Sequence, residues 1–409
     1  MNLKLQKSGI KTQQSPINIT GSKSESNRLL LLQALYPEIQ IHNLSNSDDT
    51  VFMAKALSSE SNAIDVHHAG TAMRFLTAYF AVQENRTITI TGSERMKERP
   101  IQILVDALNQ LGANISYLES PGFPPLQIKG QKLTNNQVTI KAGVSSQYIS
   151  ALLLIGSKLE NGLYVSLDGE ITSIPYIKMT LQLLNQIGVE TSFEKNVIQI
   201  KPLKELKETE LTVESDWSSA SYFYSLIALS DNQTEISLTS YKMDSLQGDS
   251  VLAEIYKQFG VSTAFQGNSI SLKKITKVNA SVNIKLDLVN APDIAQTIAV
   301  TCFGLGIACH LTGLHTLKIK ETDRLVALKR ELEKLGATVI ISKDSLQLKA
   351  TSMIKKDIAI DTYKDHRMAM AFAPLALKTN LIINEAEVVS KSYPSFWSDL
   401  KATGIRLSE

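Results

Sequence analysis

Five times along this chain an amphipathic run ends in a glycine and gives way to short alternating stretches. Asp106-Ala-Leu-Asn-Gln-Leu-Gly112, Leu183-Leu-Asn-Gln-Ile-Gly188, Ile255-Tyr-Lys-Gln-Phe-Gly260, Leu332-Glu-Lys-Leu-Gly336 and Leu400-Lys-Ala-Thr-Gly404 put their glycines 76, 72, 76 and 68 residues apart. A glycine just past a helix takes the left-handed conformation that stops it. Alternation of apolar and polar residues is the mark of a strand. Each copy therefore reads as a helix running into a hairpin-like pair of strands, as in residues 189–193 and 197–200 after Gly188. Ala34-Leu-Tyr-Pro-Glu-Ile-Gln-Ile41 reads as a degenerate first copy. Such an interval in 409 residues gives about six α/β units, too widely spaced for a common solenoid. Two domains of three units each fit better, within a length expectation of roughly two to three domains. The charged tract 201–210, which holds a proline, puts the boundary just after it.

Composition narrows the partners. The chain is 43% hydrophobic and 20% charged, as in an ordinary globular protein with ample core. A net charge of only +2 makes no global field for nucleic acid or a membrane surface, so any anion site must come from local clustering. Residues 1–7 show no apolar signal core. The longest mostly apolar run, 298–311, holds two glycines and is too short to span a bilayer. Cys302 and Cys309 lie in that run, on one face if it is helical, and read as buried free thiols rather than a disulfide or metal site. The six histidines form no H-E-x-x-H. A soluble cytoplasmic protein is the expectation.

Polar clusters meet helix starts repeatedly. Gly21-Ser-Lys-Ser-Glu-Ser-Asn-Arg28 follows the alternating Ile17 and Ile19 and leads into Leu29-Leu-Leu-Leu-Gln-Ala-Leu35. A helix start offers unpaired N–H groups and about half a positive charge, which suits an anion. The stretch lacks the spacing of a nucleotide P-loop. Similar starts are His68-Ala-Gly-Thr71, Ser145-Ser-Gln147, Ser173-Ile-Pro175, Asp216-Trp-Ser-Ser219, Pro292-Asp293, Lys320-Glu-Thr-Asp-Arg324 and Lys364-Asp-His-Arg367. Capping explains the Ser, Thr and Asp residues. It does not explain Arg28, Lys320, Arg324, His366 and Arg367, because a cation there opposes the helix dipole. With the basic stretch Arg95-Met-Lys-Glu-Arg-Pro100, these clusters point to one or more strongly anionic small molecules.

Gly21-Ser-Lys-Ser-Glu-Ser-Asn-Arg28, Ala69-Gly-Thr-Ala-Met-Arg74, Arg95-Met-Lys-Glu-Arg-Pro100, Ser145-Ser-Gln147, Lys320-Glu-Thr-Asp-Arg324 and Asp365-His-Arg-Met-Ala-Met370 resemble, in order, the signature segments of the 3-phosphoshikimate 1-carboxyvinyltransferase (EPSP synthase) family. The resemblance runs from about residue 20 to 394. It implies an α/β architecture, the two-domain enolpyruvyl transferase-like fold, with six βαβαββ repeats, three per domain, around an interdomain cleft. The chain would cross between domains twice, with residues 21–214 in one and residues 1–20 plus 215–409, first strand included, in the other.

The same resemblance implies transfer of the enolpyruvyl group of phosphoenolpyruvate to the 5-hydroxyl of shikimate 3-phosphate, by a monomer needing no cofactor or metal. Shikimate 3-phosphate would be held by Lys23, Ser24, Arg28, Ser145, Ser146, Gln147, Ser173, Asp293 and Lys320. Phosphoenolpyruvate would be held by Lys23, Gly70, Arg95, Gln147, Arg324, Arg367 and Lys391. Asp293 would take the proton of the attacking hydroxyl. Glu321 would protonate the methylene carbon and later remove a proton, with Lys23 sharing the acid role. Three positions depart from the family pattern: His68 stands for asparagine, Phe75 for proline, and Thr316 for an asparagine whose contact is not carried over.

Two other readings compete. The sister enzyme acting on UDP-N-acetylglucosamine relies on a cysteine at roughly the place of residues 95–100, where this chain has none. A non-catalytic anion-binding protein on the same fold would gain nothing from Asp293 and Glu321, carboxylates beside anionic ligands.

Overall fold

All five repeat glycines have left-handed backbone, with φ of 97° at Gly112, 103° at Gly188, 72° at Gly260, 104° at Gly336 and 105° at Gly404. A side chain at these angles would be strained, which is why the recurrence survives as glycine. The computed structural model describes residues 1–11, 15–143, 145–169, 171 and 174–409.

The repeat is a four-stranded sheet of fixed order. In the first complete copy Ala63–Asp65 runs parallel to Thr87–Thr91, which pairs antiparallel with Leu126–Lys129, and that with Asn114–Tyr117. Gln137–Lys141, Leu163–Asp168, Val197–Ile200 and Thr191–Glu194 repeat the order. So do Asn283–Asp287, Ala308–Thr312, Leu346–Leu348 and Val339–Ile341. In the last copy Ile358–Ile360 and Leu381–Ile383 are followed by Leu3–Gln6 and then Arg406–Ser408. The first strand of the chain thus fills the place that a hairpin strand holds elsewhere.

Two copies are smaller. Glu235–Thr239, Ser269–Lys274 and Val261–Gln266 form a three-stranded sheet, with Ile17 bridged in parallel to Leu238 at its edge. Among the described residues, Gln40–His42 pairs only with Glu210–Thr212, in parallel. The degenerate stretch 34–41 therefore leads from a helix into one strand, without a hairpin among the described residues.

The chain divides into two compact units, residues 1–20 with 214–409 and residues 21–213. Glu214 belongs with the first of these. Its buried carboxylate accepts hydrogen bonds from Trp217 Nε1–H (2.7 Å) and the Lys242 N–H (2.8 Å).

Each unit is built on helices with no solvent face. Every residue of Gly70–Ala81 is buried in one, and every residue of Trp217–Leu229 in the other. Helices Trp217–Leu229 and Ala295–Leu305 meet through hydroxyls four residues apart, which share a helix face. Ser221 bonds Thr297 at 3.0 Å, and Thr301 donates to Ser225 at 2.8 Å. Paired in this way, buried hydroxyls avoid the cost of an unmade hydrogen bond.

The apolar run 298–311 corrects the sequence reading. Its helix ends at Leu305, Gly306 turns the chain at φ 74°, and Cys309 lies on the strand Ala308–Thr312. The two thiols do not share a helical face. Both are free and buried, and burial, with Cys309 beside it, pushes the Cys302 thiol up.

Lys274 is 2% exposed and donates to the carbonyls of Ala228 and Phe259, both at 2.7 Å. These carbonyls end the helices Trp217–Leu229 and Tyr256–Phe259, where a cation is favoured. Burial nevertheless lowers the lysine from 10.5 to about 8. Between those values the unfolded chain binds more protons, so stability should rise with pH over that window. We expect the urea midpoint to climb from pH 8 to 10 relative to Lys274→Met. Parallel pH curves would contradict this.

Candidate active site

In the unit of residues 21–213, three helix starts carry the polar side chains. Lys23 opens Lys23–Leu35, and its ammonium has no partner among the described residues. Arg28, one turn on, points into the protein. It is 2% exposed, and its guanidinium donates to Thr180 Oγ1 (2.8 Å), Ser150 Oγ (2.9 Å) and the carbonyls of Ser24 (2.7 Å) and Tyr176 (3.4 Å). It also lies over the Phe75 and Tyr176 rings, 5.4 and 5.9 Å from their centroids. Burial lowers its pKa to about 10. Arg28 is thus a cross-brace between helices Lys23–Leu35, Ser146–Gly156 and Ile174–Gln186.

The second start, Gly70–Ala81, has no side-chain cap. A Cβ on Gly70 would lie 2.5 Å from Arg99 Nη1, so glycine is what lets that guanidinium close over the turn. Arg74 adds a second cation. It is 3% exposed and donates to the Gly70 carbonyl (3.2 Å), Met96 Sδ (3.3 Å) and the Pro100 carbonyl (3.2 Å). Burial, with Arg99 beside it, lowers Arg74 to about 10. The third start is capped by Ser145, which accepts the Gln147 N–H, while Gln147 Nε2 donates to Thr71 Oγ1 at 3.2 Å. Ser146 is buried beside them.

Arg95 is 58% exposed and pairs with Glu98 at 2.8 Å. Arg99, not Arg95, stands against Gly70. Ser24 lies on the first turn of its helix, and Ser173 falls outside the described residues.

The other unit gathers carboxylates and cations into one network. Arg324 Nε donates to Asp365 (2.7 Å), Nη1 to Asp293 (2.9 Å) and Nη2 to Glu321 (2.7 Å). Arg367 Nη2 reaches the other Asp293 oxygen at 3.0 Å, and Lys320 Nζ lies 3.5 Å from the first. Burial works to raise Asp293, but Arg367, Lys320 and Arg324 outweigh it and hold the carboxyl well below the usual range. Burial likewise works to lower Arg324, and Asp365, Glu321 and Asp293 overcome it. The Nε of Arg367 is buried with no partner among the described residues. An idle buried donor on a cation is what an anion would satisfy.

Helix starts supply these groups as well. Asp323 caps Arg324–Lys334 through the N–H groups of Leu325 and Val326, and Asp365 caps His366–Phe372 through that of Arg367. Asp365 thus caps a helix and braces Arg324 at once. Lys391 Nζ donates to the Lys364 carbonyl at 2.7 Å. Asp249, 7% exposed, is pushed up to about 7 by burial and then by Asp293, despite Arg367.

Sequence reading missed Arg74, Arg99, Asp249 and Asp365 as members of these clusters. Arg74, Arg99 and Asp365 lie inside the quoted motifs; nothing in the local pattern marks Asp249.

The sheet repeat and these helix starts define an enolpyruvyl transferase fold. An EPSP synthase from Acinetobacter baumannii superposes with a TM-score of 0.80 at 22% identity, over all of both chains. The enolpyruvyl transferase NikO from Streptomyces tendae superposes at 0.72 and 13% identity, over 100% of this chain and 98% of that one. Residues 56–400 match the family described as EPSP synthase (3-phosphoshikimate 1-carboxyvinyltransferase). A Bacteroides fragilis protein of that second name is 48% identical over 395 residues, 95% of each chain. One from Sulfurovum sp. is 36% identical over 417 residues, covering 94% of this chain and 96% of its own. The chain belongs to the EPSP synthase family.

Proposed function

We propose that this protein transfers the enolpyruvyl group of phosphoenolpyruvate to the 5-hydroxyl of shikimate 3-phosphate, giving 5-enolpyruvylshikimate 3-phosphate and phosphate. The observation that carries the chemistry is Asp293, a carboxylate braced by Arg324, Arg367 and Lys320. Both substrates bear a phosphate and a carboxylate, so each competes with Asp293 for those cations.

That competition arms the base. A carboxylate held far below its usual pKa is a poor proton acceptor. Once substrate anions draw Arg324, Arg367 and Lys320 toward themselves, Asp293 regains basicity as the 5-hydroxyl arrives. Asp293 then takes the hydroxyl proton while the oxygen bonds to C2 of phosphoenolpyruvate, and C3 gains a proton from Glu321 with Lys23 assisting. In the second stage C3 returns a proton to Glu321, the double bond reforms, and phosphate leaves. Preorganised charge and positioning supply the acceleration.

The binding roles follow the motifs. Lys23, Ser24, Arg28, Ser145, Ser146, Gln147 and Ser173, with Asp293 and Lys320, serve shikimate 3-phosphate. Lys23, Gly70, Arg95, Gln147, Arg324, Arg367 and Lys391 serve phosphoenolpyruvate, and the Arg74–Arg99 pair beside Gly70 supports that assignment. Arg28 enters through its brace, setting the turn that holds Lys23 and Ser24. A monomer in the cytoplasm, acting on these small molecules alone, completes the reading.

The test is phosphate release from phosphoenolpyruvate with shikimate 3-phosphate or UDP-N-acetylglucosamine as acceptor. Release with shikimate 3-phosphate alone is expected. Release with only the nucleotide sugar would overturn the assignment.

A further inference from the structure

Just before Gly70 the chain makes a turn that no capping rule requires. His67 is in the left-handed region at φ 48°, a strained conformation for a non-glycine residue. Several contacts hold it there. Its N–H donates to Asp65 Oδ1 at 2.7 Å, and its carbonyl accepts the Ser93 N–H at 2.9 Å. A Cβ on Gly92 would come within 2.5 Å of that carbonyl. Ser93 in turn caps the short helix Glu94–Lys97, which holds Arg95 and leads to Arg99. The His67 turn therefore joins the Gly70 start to the basic stretch beside it.

The side chains add a lock. His67 Nδ1 and His68 Nδ1 are 2.7 Å apart, with ring centroids 4.9 Å apart and planes at 83°. Phe52 stacks on His67 at 5.8 Å and meets the edge of His68 at 5.7 Å. His68 Nε2 lies 3.6 Å from Asp48 Oδ2. Two ring nitrogens at hydrogen-bond distance need one N–H and one lone pair between them. The pair therefore holds together when neutral or singly protonated. A second proton sets N–H against N–H. Asp48 favours the single positive charge on His68, whose Nδ1–H then donates to His67. Among the described residues, the charged groups in contact with the pair are Asp48 from helix Asp48–Leu57 and Asp65 from strand Ala63–Asp65, while Arg99 stands against Gly70.

We propose that His67 and His68 are positioning residues for the phosphoenolpyruvate loop, locked by one proton shared between their Nδ1 atoms. This rests on the reading of Gly70 as part of the phosphoenolpyruvate site. With the lock intact, His67 stays in its strained turn, and the Gly70 start keeps register with the Arg95–Arg99 stretch. When both rings are protonated the turn relaxes and that register is lost. The loss follows acidification and appears in KM for phosphoenolpyruvate.

The experiment compares kcat and KM from pH 5.5 to 8.5 in the wild type, His68→Asn and Gly70→Ala. Phosphoenolpyruvate carries its own protonation into every curve, so the comparison between variants is what counts. On acidification, KM for phosphoenolpyruvate should rise about tenfold more in the wild type than in His68→Asn, while KM for shikimate 3-phosphate moves in parallel. Equal acid limbs would overturn the proposal. Histidine-selective ¹⁵N NMR tests the lock apart from kinetics. One proton should couple to Nδ1 of both rings in the wild type and vanish in His68→Asn. Its absence from the wild type would overturn the shared proton. Gly70→Ala tests the underlying reading, because the atoms nearest its methyl are those of the Arg99 guanidinium, the end of a flexible side chain. An unchanged KM for phosphoenolpyruvate there would remove the loop from that site, and the positioning role with it.

Discussion

Asp293→Asn should cut turnover about a thousandfold, within the range usual for loss of a general base, and shikimate 3-phosphate should still bind. Asparagine keeps the shape, but its single carbonyl oxygen can accept from only one of Arg324 and Arg367, and it cannot take a proton. The substitution also removes the anion that competes for those guanidinium groups. Phosphate and phosphoenolpyruvate should therefore bind the variant more tightly than the wild type, an opposite movement of kcat and affinity. Single-turnover phosphate release and equilibrium binding of phosphoenolpyruvate check the two halves. Turnover within tenfold of the wild type would remove Asp293 from the base role. Glu321→Ala should also abolish turnover.

Arg324→Met should be the most destabilising single change in the network. It leaves Asp293, Glu321 and Asp365 without their shared cation, and Asp365 is fully buried. Removing one partner of a buried ion pair costs about 3–5 kcal/mol. Lysine would not rescue the site, because a point charge cannot serve three carboxylates as a planar fork does. The loss should depend on pH with a definite sign. In the wild type Asp293 is held below the usual carboxylate range, so its contribution is present at neutral pH and fades as pH falls through the acid range. In the variant the stranded carboxyls escape their penalty by protonation. The gap between the two proteins should therefore narrow as pH falls below about 4 in urea unfolding. A gap below about 1 kcal/mol at pH 7.5 would show that the network gives little net stability, as some buried pairs do.

The repeat was readable because its stop signal is a backbone angle that favours one residue type, so Gly112, Gly188, Gly260, Gly336 and Gly404 mark the period. Stretch 34–41 was readable only as a degenerate copy, since the hairpin that would have shown alternation is missing there. The run 298–311 looked like one helix because helix and strand are equally apolar when buried on all sides. Gly306 was the signal that separated them.

The clusters were readable to a similar depth. Asp293, Lys320, Glu321, Arg324 and Arg367 could be picked out as charges at helix starts, and the structure joins them in one network. Arg95 and Arg99 lie in one short stretch, and nothing local says which turns inward. The bare Gly70 turn leaves room for Arg99. Arg28 read as a ligand grip, and four hydrogen bonds inside its own unit also make it a brace. Asp365 reads as an ordinary cap, and nothing in the local pattern marks Asp249. Their importance comes from burial and from neighbours far off in sequence.

Leu3–Gln6 is pinned between Leu381–Ile383 and Arg406–Ser408, and that has a consequence for synthesis. At roughly 5–20 residues per second, the ribosome releases this strand on the order of 20–80 seconds before its partners exist. Residues 21–213, by contrast, emerge as a contiguous block with their own core and can fold while translation continues. The exposed strand edge is therefore a waiting state, open to chaperones or to mispairing with a neighbouring nascent chain. Because Leu5 lies opposite Leu407, a circularly permuted gene that joins the two ends and opens elsewhere would abolish the wait.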